Sequence, residues 1–156
     1  MMFLIGVTAP QFAKAQQTAS DYFAAGLAHS NAGQYFDAIQ DYDKAIALDP
    51  DNTLAYNNRG AAKSDLGQYF DAIQDYDKAI ALNPDDALAY NNRGSAKSDL
   101  GQYFDAIQDY DKAIALNPDY ALALSNRSIV NRLLGKISQA ENDCRIAKQI
   151  DSSVSC

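Results

Sequence analysis

The stretch GQYFDAIQDYDKAIALNPD runs from Gly67 to Asp85 and recurs unchanged from Gly101 to Asp119. A third copy, Gly33 to Asp51, differs only in carrying Asp49 where the others have Asn83 and Asn117. The glycines that open these copies are 34 residues apart, and a diverged fourth copy begins at Gly135. A fixed period of this length means a stacked array of helical hairpins, each too small to bury its apolar face without its neighbours.

The residues of one unit spell out helix, tight turn, helix, stop. In the second unit Asp51 or Asn52 can cap a helix over Thr53 to Leu66, which sets Leu54, Ala55, Ala61 and Ala62 among polar residues. Gly67 ends that helix, because glycine takes the left-handed C′ conformation at little cost. Asp71 falls in the first turn of the next helix, where a carboxylate complements the macrodipole. Ala72, Ile73, Tyr76, Ala79 and Ile80 then follow at three- and four-residue spacing, the single stripe of an amphipathic helix. Asn83-Pro84 closes the unit, since the residue before proline is pushed out of the helical region.

With units starting at Ala19, Thr53, Ala87 and Ala121, small and aromatic residues fall in register. They are Tyr22, Tyr56 and Tyr90; Gly26, Gly60 and Gly94; Ala38, Ala72, Ala106 and Ala140; Tyr42, Tyr76 and Tyr110; Ala45, Ala79, Ala113 and Ala147; and Pro50, Pro84 and Pro118. This register resembles the tetratricopeptide repeat. The resemblance implies an all-α fold, a right-handed α-solenoid of antiparallel helix hairpins, with four units over 19–52, 53–86, 87–120 and 121–154 inside a domain spanning 18–154. The fourth unit is degenerate: Leu124, Ser128, Cys144 and Ser152 stand where the pattern has aromatic, glycine, aromatic and proline. Its second helix, from about Ile137 to Ile150, is strongly polar, as expected of a cap that meets water on one side. The family often adds a solvating helix after its last repeat, so an open end here is a further expected contact surface.

Residues 1–17 stand outside the repeats. Met1 to Val7 is apolar, and Ala13-Lys14-Ala15 has the small residues two apart of a signal-peptidase site, but no basic residue precedes the apolar run. Two readings stay open: a signal-like segment and an exported (periplasmic or extracytoplasmic) protein, or a loosely docked tail and a cytoplasmic one. Cys144 and Cys156 are too few for a disulfide framework. Cys144 is expected to pack as a small apolar group, with a bridge to Cys156 only after export.

Thirteen basic residues against twenty acidic ones give a net charge of −7, with no Lys/Arg stripe, which argues against nucleic acid. No apolar run approaches the roughly 20 residues that span a bilayer. His29, the only histidine, falls at a packing position and reads as a core residue. Neither metal-ligand spacing nor a phosphate-binding loop is present, so no catalytic residue, metal, cofactor or small-molecule substrate is expected. The expected partner is a protein or peptide, with self-association open.

The resemblance implies that the first helices of successive repeats line a concave groove for an extended peptide or a partner helix. Asn57-Asn58 and Asn91-Asn92 recur there in register, and Ser125-Asn126 follows. An amide side chain offers donor and acceptor together, so Asn58, Asn92 and Asn126 suit a peptide backbone. The competing reading is that these residues only solvate the groove or bond neighbouring segments. The family's clamp for chaperone C-termini needs two lysines and an arginine. Its places hold Phe23, Leu27, Asn58, Leu88 and Asn92 in one frame, or Asn57, Ala61, Asn92, Leu122 and Asn126 in the next, so the cations that would offset carboxylate desolvation are missing.

Two departures from the family pattern remain. Arg59, Arg93 and Arg127 replace a usual leucine and require carboxylates, either sixteen residues later (Asp75, Asp109, Asp143) or eighteen earlier (Asp41, Asp75, Asp109). Such pairs are expected to serve packing and register, with Lys63 and Lys97 solvating the same edge. Phe36, Phe70 and Phe104 replace a usual charged residue at the start of the second helices. Exposed, they make a convex contact row for a self-associating scaffold; folded over Tyr35, Tyr69 and Tyr103, they are half-buried packing residues.

Overall fold

The structure, a computed structural model, describes residues 17–156. The signal-like segment therefore lies outside the described residues, apart from Gln17. Among the described residues eight helices follow in pairs: α1 (Ala19–Asn31) with α2 (Tyr35–Leu48), α3 (Thr53–Asp65) with α4 (Tyr69–Leu82), α5 (Ala87–Asp99) with α6 (Tyr103–Leu116), and α7 (Ala121–Leu133) with α8 (Ile137–Ile150). None of these helices is long and apolar enough to cross a membrane.

Local chemistry sets the boundaries. Thr18 and Asp21 form a reciprocal capping box on α1, and Asn52 and Asp86 cap α3 and α5. At the C-terminus of α3 the Gly67 amide bonds the Ser64 carbonyl and the Gln68 amide bonds the Lys63 carbonyl, the paired bonds of a Schellman turn. Gly67 holds φ at +73°, which a residue with a Cβ resists. The chain therefore reverses within a few residues, and each hairpin is antiparallel.

Packing is one-dimensional. Each helix touches its neighbours in sequence, and α1 also touches α3, α3 touches α5 and α5 touches α7. Among the described residues no two even-numbered helices touch. The odd helices thus lie closer together than the even ones, which makes theirs the concave layer of the solenoid. The core is built where one repeat's second helix meets the next repeat's first: Ala38 and Tyr42 with Ala62, Ala72 and Tyr76 with Ala96, Ala106 and Tyr110 with Val130. Alanine lets the backbones approach, and the tyrosine fills what remains.

Candidate functional site

The concave face is made of rows that repeat with the solenoid. Leu54, Leu88 and Leu122 project from the first turns of α3, α5 and α7 and are 57%, 44% and 48% exposed. Asn58, Asn92 and Asn126 lie four residues on, on the same helical face. Three residues further stand Ala61, Ser95 and Ile129, and four beyond those Asp65, Asp99 and Leu133. Between neighbouring inner helices the face dips into two shallow depressions of about 190 and 180 Å³. Asp65, Asn92, Ser95 and Asp99 line the first, and Ser95, Asp99, Asn126 and Ile129 the second.

The asparagines do double duty, which the sequence did not separate. Asn57, Asn91 and Ser125 are buried, at 2–3% exposure. Asn92 Nδ2 donates to Asn57 Oδ1 at 3.3 Å, and Asn126 Nδ2 donates to Asn91 Oδ1 at 3.0 Å. These amide links join consecutive inner helices, as expected of burial that must be hydrogen-bonded. Asn58 donates to its own helix at the Leu54 carbonyl, 2.8 Å away. The ladder positions Asn58, Asn92 and Asn126 are half-exposed, and Asn57, Asn91 and Ser125 form its buried backing. The leucine row and the two aspartates belong to the same surface. The 34-residue spacing of Leu54, Leu88 and Leu122 was the available signal for them.

The arginines are resolved in favour of both directions, at a spacing of sixteen. Arg59 binds Asp75 through Nε at 2.9 Å and through its second terminal nitrogen, and reaches back across the repeat boundary to Asp43. Arg93 does the same with Asp109 and Asp77, and Arg127 with Asp143 and Asp111. The expected partners eighteen residues earlier are not used by the arginines: the between-repeat carboxylate is the one two residues further on, a half-exposed aspartate that a guanidinium can reach. Lys63 and Lys97 do not merely solvate the edge. Their ammonium groups lie 2.8 and 2.7 Å from Asp75 and Asp109. Burial alone would lower the affinity of Arg59 and Arg93 for their protons, but the hydrogen bonds and charges of their two aspartates outweigh it, and both stay protonated well beyond the ordinary range.

His29 is corrected by the same network. It is not a core histidine: its side chain is 39% exposed and its Nδ1 lies 2.8 Å from Asp41. It occupies the position of Lys63 and Lys97 in a repeat where Ala25 stands in place of the arginine, and Lys44 completes the set at 3.0 Å. Asn131 takes the same position in the fourth repeat. The phenylalanines do not fold over their tyrosines. Phe36, Phe70 and Phe104 are 65%, 67% and 67% exposed, while Tyr35, Tyr69 and Tyr103 are only partly buried beneath the surface.

At the C-terminal end Cys144 does not pack as a small apolar residue but is disulfide-bonded to Cys156. The bond folds residues 152–156 back over α7, and Ser125 Oγ donates to the Ser155 carbonyl at 2.6 Å. Ser125 matches Asn57 and Asn91, which receive the following repeat's asparagine, so the tail takes the place a following inner helix would hold. The end is thus partly covered. Among the described residues no group of three His, Cys, Asp or Glu side chains is placed to hold a metal ion.

Comparison with known proteins agrees with this geometry. A family model described as "TPR repeat" matches residues 26–67 and 64–101, and one described as "Tetratricopeptide repeat" matches residues 87–120. No curated protein sequence matches the chain. Among solved structures, MamA is similar with a TM-score of 0.80 and 25% identity over 86% of this chain and 78% of its own. The first TPR of Spaghetti (RPAP3), bound to the HSP90 peptide SRMEEVD, is similar with a TM-score of 0.74 and 29% identity over 76% of this chain and 94% of its own. A thermophilic TPR protein in Thermus thermophilus shares the fold, with a TM-score of 0.79 at 20% identity over 86% of this chain and 75% of its own.

Proposed function

The chain belongs to the tetratricopeptide repeat family, and we propose that it is an interaction module whose concave face holds an extended peptide or a partner's helix. The family is a protein-interaction fold rather than a catalytic one. The observation that carries the groove reading is the exposed leucine row, Leu54, Leu88 and Leu122, set beside half-exposed asparagines on the concave face. Exposed apolar side chains in a row on a concave face are worth covering, and adjacent amides can pair with a peptide backbone. The peptide in the RPAP3 complex, SRMEEVD, ends in acidic residues. Its mode of capture does not transfer, because the depressions here carry carboxylates and no lysine or arginine.

The test is a crosslinked pull-down from the native host with the wild type and with Leu54→Ser, Leu88→Ser and Leu122→Ser combined. These residues are about half exposed and lie outside the buried core, so the variant should fold. A partner captured by the wild type and lost from the variant supports the groove; the same set of proteins with both removes it.

One observation favours a second reading. The exposed phenylalanine row suits a self-associating scaffold. Phe70→Ser with Phe104→Ser should then lower the mass seen by light scattering, and an unchanged mass eliminates the row. The Cys144–Cys156 bond in turn supports an oxidising, extracytoplasmic setting. Protein taken from cells should then react with a thiol reagent only after reduction; immediate labelling places it in a reducing compartment.

A further inference from the structure

We propose that the groove selects a cationic amphipathic segment: leucine-like side chains against Leu54, Leu88 and Leu122, and lysine or arginine against Asp65 and Asp99. The inference rests on the groove reading and adds the chemistry of the occupant.

Asp65 and Asp99 are the last residues of α3 and α5. A carboxylate there opposes the helix macrodipole, whose C-terminal end is already negative, so the fold gains nothing from either charge. Local rules are broken for a reason elsewhere when no compensating contact exists. None does here: among the described residues neither aspartate makes an ion pair or a side-chain hydrogen bond. By contrast the buried Asp75 and Asp109 are each satisfied by an arginine and a lysine. The two free carboxylates face the depressions, where the remaining polar lining is amide and hydroxyl. Their field is felt inside the wall, since Asp65 and Asp99 help to push the protons of Tyr76 and Tyr110 on more firmly, after the larger effect of burial.

The equivalent positions at either end are Asn31 and Leu133. The negative strip is thus confined to the middle of the groove, with Asn31 at one end and Leu133, next to the exposed Arg132, at the other. A partner of matching pattern carries one or two cations near its centre and apolar side chains along one edge. Acidic segments are repelled by the strip and by the chain's net charge of −7.

Three synthetic peptides of equal length test this, one alternating leucine with lysine, one leucine with glutamine and one leucine with glutamate, read by fluorescence anisotropy on the full chain. The lysine peptide should bind roughly 5- to 10-fold more tightly than the glutamine peptide, and the glutamate peptide weakest. Asp65→Asn with Asp99→Asn should abolish the lysine advantage. Asp71→Asn with Asp105→Asn, on the outer helices, gives the same net charge and should leave it intact. Equal loss in both double variants means general charge attraction and overturns the proposal. So does equal binding of lysine and glutamine peptides, or no binding of either. If those peptides bind equally and the triple leucine variant still abolishes binding, the groove stands and only its charge preference falls.

Discussion

A Cβ on Gly60 would lie 2.8 Å from Cε1 of Tyr76 and 3.1 Å from Cδ1 and Cζ, so the glycine is bare because the ring has taken the space. Gly26 with Tyr42 and Gly94 with Tyr110 repeat the arrangement. In the fourth repeat both partners change together. Ser128 replaces the glycine and Cys144 the tyrosine, and Ser128 Oγ, fully buried, donates to the Ala140 carbonyl at 2.7 Å. Loss of the ring makes room for the hydroxyl, and it also frees position 144 for a disulfide. Gly60→Ala should therefore destabilise by roughly 1–3 kcal/mol through overpacking. Gly60→Ser and Tyr76→Cys together should cost less than the sum of the two alone, a coupling that a double-mutant cycle in urea measures. Strict additivity would show that the ring and the glycine do not compete for one space.

Among elements, charge is concentrated inside each hairpin, and one ion pair reaches from it across the joint to the preceding repeat. Asp75 is buried and holds Arg59 and Lys63, while Asp43, 54% exposed, meets only the outer edge of the same guanidinium. Asp75→Asn leaves the partly buried Lys63 without a carboxylate and Arg59 with only Asp43, and should cost about 3–5 kcal/mol. Asp43→Asn, a solvent-screened pair, should cost about 0–1 kcal/mol. Similar losses from both would mean that burial does not govern this network. The terminal hairpin keeps its arginine network and gains a further tie, a bond closing twelve residues from Cys144 to Cys156. Cys156→Ser should lower the protection of α7 and α8 by about 2–3 kcal/mol in amide exchange and leave α1–α4 unchanged. The helices themselves were legible, because caps, glycine turns and proline stops are local chemistry: the fourth repeat's second helix spans Ile137–Ile150 as its sequence predicts. The arginine pairing was not, because Asp41, Asp43 and Asp75 all sit at reachable spacings and only the relative rise of neighbouring helices selects among them. The exposure of the phenylalanine row stayed open between two readings for a related reason: nothing in the residue pair Tyr69-Phe70 says which ring faces inward.

At the scale of the whole molecule, each hairpin touches only the next, so stability is a chain of similar interfaces and a condition that weakens one weakens the others. Every interface before the fourth repeat has a buried tyrosine at its centre. Burial pushes the Tyr76 and Tyr110 hydroxyls up to about 12, and Tyr42 moves in the same direction. A tyrosine whose folded pKa is raised keeps its proton longer in the folded chain than in the unfolded one. Its contribution is therefore complete below the unfolded value of about 10 and is lost as pH rises toward the folded value. For Tyr76 and Tyr110 this amounts to on the order of 2–3 kcal/mol each. The solenoid should thus hold its helicity to about pH 10 and lose it cooperatively between about pH 10 and 12. Tyrosinate absorbance should rise in two stages, the exposed rings first and the buried ones together with the fall in circular dichroism. Tyr76→Phe removes one of the titrating groups and should shift the transition to higher pH. If it leaves the alkaline midpoint where it was, the buried tyrosines are not what opens the array. The fourth repeat, with Cys144 in the tyrosine's place, supplies the internal comparison: amide exchange near pH 10 should show the hairpins carrying Tyr76 and Tyr110 loosening before α8.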